Sequence, residues 1–62
     1  MQFSRWIEKE SITHAVIAEQ LGVTSPYISM LANQKRQPSL TLLSRITRMT
    51  RGEVVLSDFL DE

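Results

Sequence analysis

The stretch that most constrains this chain is residues 13–33, which spell THAVIAEQLGVTSPYISMLAN. Two short helical patterns lie on either side of Gly22. Ala18 lies four residues before this glycine, and Ile28 and Leu31 lie three apart after it. A small residue lets two helices approach closely, a glycine permits a sharp turn, and apolar residues one turn apart anchor the second helix. The spacing predicts a helix-turn-helix and indicates DNA binding.

Length and composition limit the class of protein. With 62 residues and no cysteine, the chain is expected to be one small domain, residues 1–62, without disulfides or a thiolate metal site. No apolar run approaches the ~20 residues of a membrane helix, and no signal peptide is visible. We expect a soluble cytoplasmic protein, associated with the nucleoid when it is bound to DNA. Small domains often need a partner for stability, which favours self-association.

The zero net charge conceals an uneven distribution. Residues 22–52 carry five basic residues and no acidic one, whereas residues 53–62 carry four acidic residues and no basic one. The five cations are Lys35, Arg36, Arg45, Arg48 and Arg51. This pattern predicts a basic middle segment, as a DNA-binding surface requires.

The apolar periodicity predicts an all-α fold. Helices are expected over about residues 2–10, 14–21, 25–33 and 40–50, with a short turn or helix from residue 57. The expected core residues are Phe3, Trp6, Ile7, Ile17, Ala18, Leu21, Val23, Ile28, Leu31, Leu42, Leu43, Ile46, Met49, Phe59 and Leu60. We therefore predict a compact bundle of four to five short helices, in which the helix-turn-helix occupies about residues 13–33.

Hydroxyl and glycine residues mark the helix ends. The expected N-caps are Thr13, Thr24 and Ser39. Gly22 and Gly52 are expected to end the second and fourth helices. Asn33 is expected to take the left-handed conformation after the third helix, because its short amide tolerates that conformation.

Residues 13–52 resemble the Cro and lambda-repressor type of helix-turn-helix proteins. The resemblance depends on THAVIAEQLGVT, on the pair Ile28 and Leu31, on the connection KRQPS, and on a leucine-rich helix that ends near glycine. Residues 50–55, TRGEVV, resemble the ending of small phage-type Cro-like regulators and of certain antitoxin relatives. The likeness extends over about 50 residues of the chain.

The resemblance implies roles for individual side chains. The positions that usually meet base edges in the major groove are Ser25, Pro26, Tyr27 and Met30. The positions that usually hold the DNA backbone are Thr13, His14, Thr24, Asn33, Lys35 and Arg36. Pro26 and Met30 depart from the family's habit, because neither makes paired hydrogen bonds to a base. Base recognition is then expected to depend on Ser25, Tyr27, thymine methyl groups and DNA shape.

The function that the resemblance implies is sequence-specific binding of double-stranded DNA by a transcriptional regulator. A Cro-like phage or prophage repressor is expected, acting as a homodimer on a palindromic operator with half-sites ~34 Å apart. Val54, Val55 or Phe59 are candidates for the dimer contact, as is the fourth helix. Two alternatives stay open: an antitoxin-type or accessory module whose helix-turn-helix surface binds a protein, and a structural fold without DNA affinity.

Catalysis has almost no support in this sequence. The one histidine, His14, has neither cysteine nor clustered carboxylates as company, and no glycine-rich phosphate loop is present. We expect no enzyme activity, metal, cofactor or small-molecule ligand. Structural explanations compete at several positions: His14 as a solvated helix start, Tyr27 and Met30 as packing residues, and Lys35 with Arg36 as a plain solvated loop. Arg45 and Arg48 are solvated or meet DNA, a partner or Glu53.

Overall fold

Four helices and one short turn make up the described part of the chain. The computed structural model describes residues 1–60. Its elements are α1 (Phe3–Glu10), α2 (His14–Leu21), α3 (Ser25–Ala32), α4 (Leu40–Met49) and a 3₁₀ turn (Leu56–Phe59). No strand occurs among these residues, so the all-α prediction is confirmed, with boundaries within about one residue of those expected. None of the helices in this range has the length and apolar character needed to cross a membrane.

Phe3 joins the first helix to the C-terminal turn. Its ring lies 6.4 Å from the Trp6 ring in a stacked arrangement and 5.8 Å from the Phe59 ring at 59°. All three side chains are almost completely buried. Aromatic pairs at such separations stabilise beyond the area that they bury. The two ends of the described chain therefore cover the same side of the core.

The core contains the apolar residues expected from helical spacing, with one exception. Val23 and Met49 lie half-buried against it, whereas Leu60 keeps 48% of its surface exposed. The prediction for Leu60 was wrong because the 3₁₀ turn ends at Phe59 and the backbone then becomes extended, with φ −90° and ψ 136° at Leu60. An extended residue does not continue the inward face of the turn.

The segment after α4 enters the core by means of Thr50. This hydroxyl is 1% exposed; it donates to the Thr47 carbonyl at 3.3 Å and accepts from the Val54 amide at 3.1 Å. Val54 is consequently fully buried, as Phe59 nearly is. Both residues are therefore unavailable as dimer contacts, and that part of the sequence-based expectation was wrong.

Three hydroxyl side chains cap the N-termini of α2, α3 and α4. Thr13 accepts from the Val16 amide at 3.2 Å, and Thr24 accepts from the Tyr27 amide at 3.4 Å. Ser39 does the same for α4, with 3.2 Å to the amide of the third helical residue. These caps confirm the predicted helix starts, because each satisfies an amide that has no partner inside its helix.

All four helices end at a residue in the left-handed conformation. These residues are Ser11, Gly22, Gln34 and Arg51, with φ of 55°, 74°, 60° and 57°. Behind each, the next amide reaches back five residues, as from Val23 to the Ala18 carbonyl at 2.9 Å. This hydrogen bond is the mark of the Schellman motif, which satisfies carbonyls at the end of a helix.

Two of these ends differ from expectation. Asn33 has φ −89° because its amide still bonds to the Ser29 carbonyl, and the left-handed residue is Gln34. The Gln34 amide side chain donates to the Asp58 carbonyl at 3.3 Å, which ties this turn to the C-terminal segment. At the end of α4 the left-handed position belongs to Arg51, and Gly52 follows it with φ 80°.

Charged groups also fasten α1 to the segment after α4. The Lys9 ammonium pairs with the Glu53 carboxylate and lies 3.9 Å from Glu10. The Met1 ammonium donates to the Glu53 carbonyl at 2.7 Å and to the Asp58 carboxylate at 3.1 Å. The Asp58 carboxylate in turn accepts from the Val55 amide at 2.8 Å. Glu53 and Asp58 are thus both paired with cationic groups from the start of the chain.

We expect Ser11→Gly to stabilise the protein by roughly 0.5–1 kcal/mol. An L side chain in the left-handed conformation costs about 1 kcal/mol, part of which the greater freedom of glycine in the unfolded chain offsets. The matched control is Gly22→Ala, which meets no atom within 4 Å and should lose about 1 kcal/mol from the same conformational term alone. Urea unfolding measures both, and a destabilised Ser11→Gly variant would contradict the explanation.

The pKa of Glu53 is expected to lie below the ordinary glutamate value. The hydrogen bond from Lys9 is the main cause, and the charge of Lys9 adds to it. A carboxyl whose pKa is lowered by folding stabilises the protein above its unfolded pKa and loses that contribution as the pH falls through its folded pKa. An NMR titration should show the low pKa in the native protein and a higher one in Lys9→Met. Equal pKa values in the two proteins would contradict this cause.

Candidate nucleic-acid interface

The framework of the site is the apolar contact between α2 and α3. Ile17, Ala18 and Leu21 on α2 belong to the same buried cluster as Ile28 and Leu31 on α3. None of the five is more than 4% exposed. The small side chain of Ala18 permits close approach of the helices, and three buried residues on α2 packed against two on α3 define one arrangement rather than a range. The outward face of α3 is thereby held in a fixed orientation.

The burial pattern of α3 defines that outward face. Ile28 and Leu31 point inward, so residues about half a turn away point out. Pro26 and Asn33 are exposed, in agreement with this phase. Ser25 and Met30 are half-buried. Met30 is thus neither core filler nor freely exposed, and it contributes part of an apolar outer surface.

Tyr27 lies on the flank of α3 rather than on its outer face. It follows the same side of the helix as Leu31, four residues later, and packs partly buried against the core. It also lines a hollow of about 290 Å³, to which Thr41 and Arg45 of α4 contribute. Tyr27 therefore has the packing role that the sequence analysis gave as an alternative to DNA contact.

The threonines that cap the N-termini of α2 and α3 are exposed to solvent. Thr13 and Thr24 are exposed although each hydroxyl oxygen accepts a cap hydrogen bond. A capping hydroxyl still carries a hydrogen that it can donate outward. Helix N-termini attract anions through unpaired amides and the helix dipole. These positions suit phosphate oxygens in chemistry and in exposure.

His14 is held by a residue that the sequence did not identify. Its Nδ1 lies 2.8 Å from the Ser29 hydroxyl of α3, and both side chains are half-buried. His14 is therefore not simply a solvated helix start. The pair is 15 residues apart in sequence, so no local pattern signals it. The spacing of Ser29 four residues after Ser25 was the one available clue, since it places both serines on one side of α3.

Within residues 1–60, the cations of the middle segment lack anionic partners. Lys35 and Arg36 are exposed on the turn between α3 and α4, next to the exposed Asn33. Among residues 1–60, the only Lys or Arg side chain in an ion pair is Lys9, far from this segment in sequence. The exposed cations without an ion-pair partner in the described part of the chain are Lys35, Arg36, Arg45, Arg48 and Arg51. Charge without a local partner produces the potential that attracts a polyanion.

Comparison with known proteins gives one match. A family model described as Helix-turn-helix matches residues 5–54. The matched range contains α2 and α3 complete, the turn after α3 and every side chain considered above for DNA contact. Searches of curated proteins and of solved structures gave no significant match.

Thr24→Ala should destabilise the protein by about 1 kcal/mol, because the Tyr27 amide loses its acceptor. Thr24→Asp should restore the cap and the stability. Thr41→Ala is the control, since Thr41 is exposed on α4 and caps nothing among the described residues. Thermal or urea unfolding measures the three variants. A loss as large in Thr41→Ala as in Thr24→Ala would refute the capping explanation.

Proposed function

The chain belongs to the helix-turn-helix family of DNA-binding transcription regulators, and on this basis we propose that it is a sequence-specific repressor of the Cro kind. The observation that carries the proposal is the combination of an outer face on α3, held by the packing of α3 on α2, with two exposed cations directly after it, Lys35 and Arg36, with which no acidic side chain of residues 1–60 pairs. In this family type the second helix of the motif enters the major groove. α3 is that helix here.

Base recognition is assigned to the first half of α3. Ser25 can donate to or accept from a base edge, and Pro26 and Met30 suit contact with thymine methyl groups. Tyr27 would act from the flank, where it packs partly buried against the core. A face with so few paired donors depends on DNA shape as well as on base edges.

The DNA backbone is assigned to groups on both sides of that face. Thr13 and His14 start α2, Thr24 starts α3, and their donors suit phosphate oxygens. After α3, Asn33, Lys35 and Arg36 would bind phosphates on the opposite side of that face from Thr13, His14 and Thr24. Phosphate contacts of this type fix position without reading sequence.

A homodimer on a palindromic operator follows from the same family type. Two-fold related copies would place their α3 helices ~34 Å apart, in successive major grooves. Val54 and Phe59 are buried within one copy, so we assign the contact to the exposed side chains beside them, Val55 and Leu56. These are 37% and 46% exposed, which is high for apolar residues next to each other.

The first test is binding of the protein to DNA from its own upstream region at ~50 mM salt. The double variant Lys35→Ala with Arg36→Ala should weaken binding to all sequences alike and reduce the salt dependence by about one unit of slope for each cation. Tyr27→Ala should weaken binding to the preferred site most. Gel shift or fluorescence anisotropy over a salt series measures these effects.

Arg5→Ala serves as the control for loss of a single cation elsewhere, because Arg5 is an exposed cation on α1 outside the motif. It should leave the affinity almost unchanged. If the wild-type protein shifts no DNA at this salt concentration, the regulator proposal fails and the protein-binding alternative gains. If Tyr27→Ala weakens all sequences alike and the double variant only the preferred one, the division of roles is reversed.

The dimer assignment has a separate test. Val55→Asp with Leu56→Asp should shift sedimentation toward the monomer, free or on operator DNA, while the helical circular dichroism is kept. Val16→Asp is the matched control, since Val16 is 43% exposed on α2 and lies outside the assigned contact. A dimer that survives the double substitution would overturn the assignment.

A further inference from the structure

One side-chain hydrogen bond connects the two helices of the motif. His14 Nδ1 and Ser29 Oγ are 2.8 Å apart, and within residues 1–60 no other side-chain pair links α2 to α3 by a hydrogen bond. His14 is the first residue of α2, and Ser29 lies in the middle of α3. The contact thus joins the start of the supporting helix to the helix assigned to the groove.

The other ring nitrogen of His14 is not fully enclosed by the protein. His14 Nε2 makes no hydrogen bond among the described residues, and no buried side-chain nitrogen or oxygen in this range lacks a partner. Nε2 is therefore not enclosed. Nδ1 is hydrogen-bonded to Ser29 within the protein, which leaves Nε2 as the ring nitrogen that can contact a ligand.

The proton on the ring decides what that outer nitrogen can bind. Neutral imidazole has one donor and one acceptor nitrogen, and the hydrogen bond at one nitrogen selects the role of the other. If Ser29 donates to Nδ1, the proton resides on Nε2, which then donates outward. If Nδ1 instead carried the proton, Nε2 would present a lone pair. A phosphate diester has acceptors only, so of the two neutral tautomers only the first can donate to it from Nε2.

We propose that Ser29 is a positioning residue that holds His14 with its proton on Nε2, so that Nε2–H donates to a DNA phosphate. This inference rests on the proposed DNA binding and adds to it a residue that touches no DNA itself. In the described structure the Ser29 hydroxyl has no other hydrogen-bond partner, so donation to Nδ1 gives its single hydrogen an acceptor, whereas accepting from Nδ1–H would leave that hydrogen without one among residues 1–60. A side chain of α3 thereby sets the orientation of the His14 ring, with which α2 would contact the DNA backbone.

The tautomer provides a readout that a merely structural role of Ser29 would not move. Nitrogen-15 shifts of the neutral ring, taken from the alkaline limit of a pH titration of the free protein, distinguish Nδ1–H from Nε2–H. The wild type should be almost entirely Nε2–H. Ser29→Ala should give a mixture, and Ser29→Thr, which restores a hydroxyl, should return the ring toward Nε2–H. A wild-type ring with its proton on Nδ1 would overturn the proposal.

Affinity for DNA supplies the second arm. Ser29→Ala should weaken binding about three- to tenfold on all duplexes alike, as expected for one hydrogen bond. His14→Ala should weaken it about tenfold or more, because a contact to a charged phosphate is lost. The variant that lacks both side chains should bind no more weakly than His14→Ala, since Ser29 acts only through the ring.

Ser44→Ala, an exposed serine on α4, is the control and should leave both readouts unchanged. Additive losses in the double variant, or an unchanged affinity in Ser29→Ala, would overturn the role of Ser29 while the DNA-binding proposal stands. If the wild-type protein binds no duplex, the proposed function falls, and the phosphate contact of His14 falls with it. The two failures are thus distinguishable, because the first requires measurable wild-type binding.

Discussion

The apolar contact between α2 and α3 is the interaction on which the other features depend. Each helix has only eight residues, too few to be stable alone in water. Mutual burial of Ile17, Leu21, Ile28 and Leu31 therefore stabilises the helices themselves as well as their angle. The caps, the serine–histidine contact and the basic turn all have defined positions only because this pair is rigid. A loss of packing there would remove the site before any DNA-contacting side chain changed.

The distribution of charge follows the same division of the molecule. Glu53 forms an ion pair with Lys9, and Asp58 forms one with the Met1 ammonium. Asp58 also accepts a hydrogen bond from the Val55 amide. Glu53 and Asp58 are thus paired with Lys9 of α1 and with the N-terminal ammonium, not with cations of the middle segment. A chain with zero net charge can in this way keep an uncompensated positive surface, since solvent screening makes local partners matter more than the total.

Local signals in the sequence predicted the helix starts, the core of the motif and the turn at Gly22, because each depends on residues within one helical turn. Features that depend on tertiary contacts were not predictable in this way. Gln34 takes a strained backbone conformation beside a tether to Asp58 that lies 24 residues away. The chain after α4 is held by the buried hydroxyl of Thr50, which accepts a hydrogen bond from the Val54 amide. Val54, a candidate for the dimer contact in the sequence analysis, is consequently a core residue. Tyr27 was expected at a base-contacting position from the resemblance alone, whereas its spacing to the buried Leu31 puts it on the flank of α3.

The left-handed helix ends have a consequence for how this sequence can change. Ser11, Gln34 and Arg51 each hold a conformation that costs an L residue about 1 kcal/mol and glycine almost nothing. Small domains have a net stability of only a few kcal/mol, so three such sites are a considerable fraction of the margin. A glycine at one of them can compensate a mildly damaging substitution elsewhere without touching the core or the outer face of α3. The chain can therefore gain tolerance to mutation at helix ends that belong neither to its core nor to the outer face of α3.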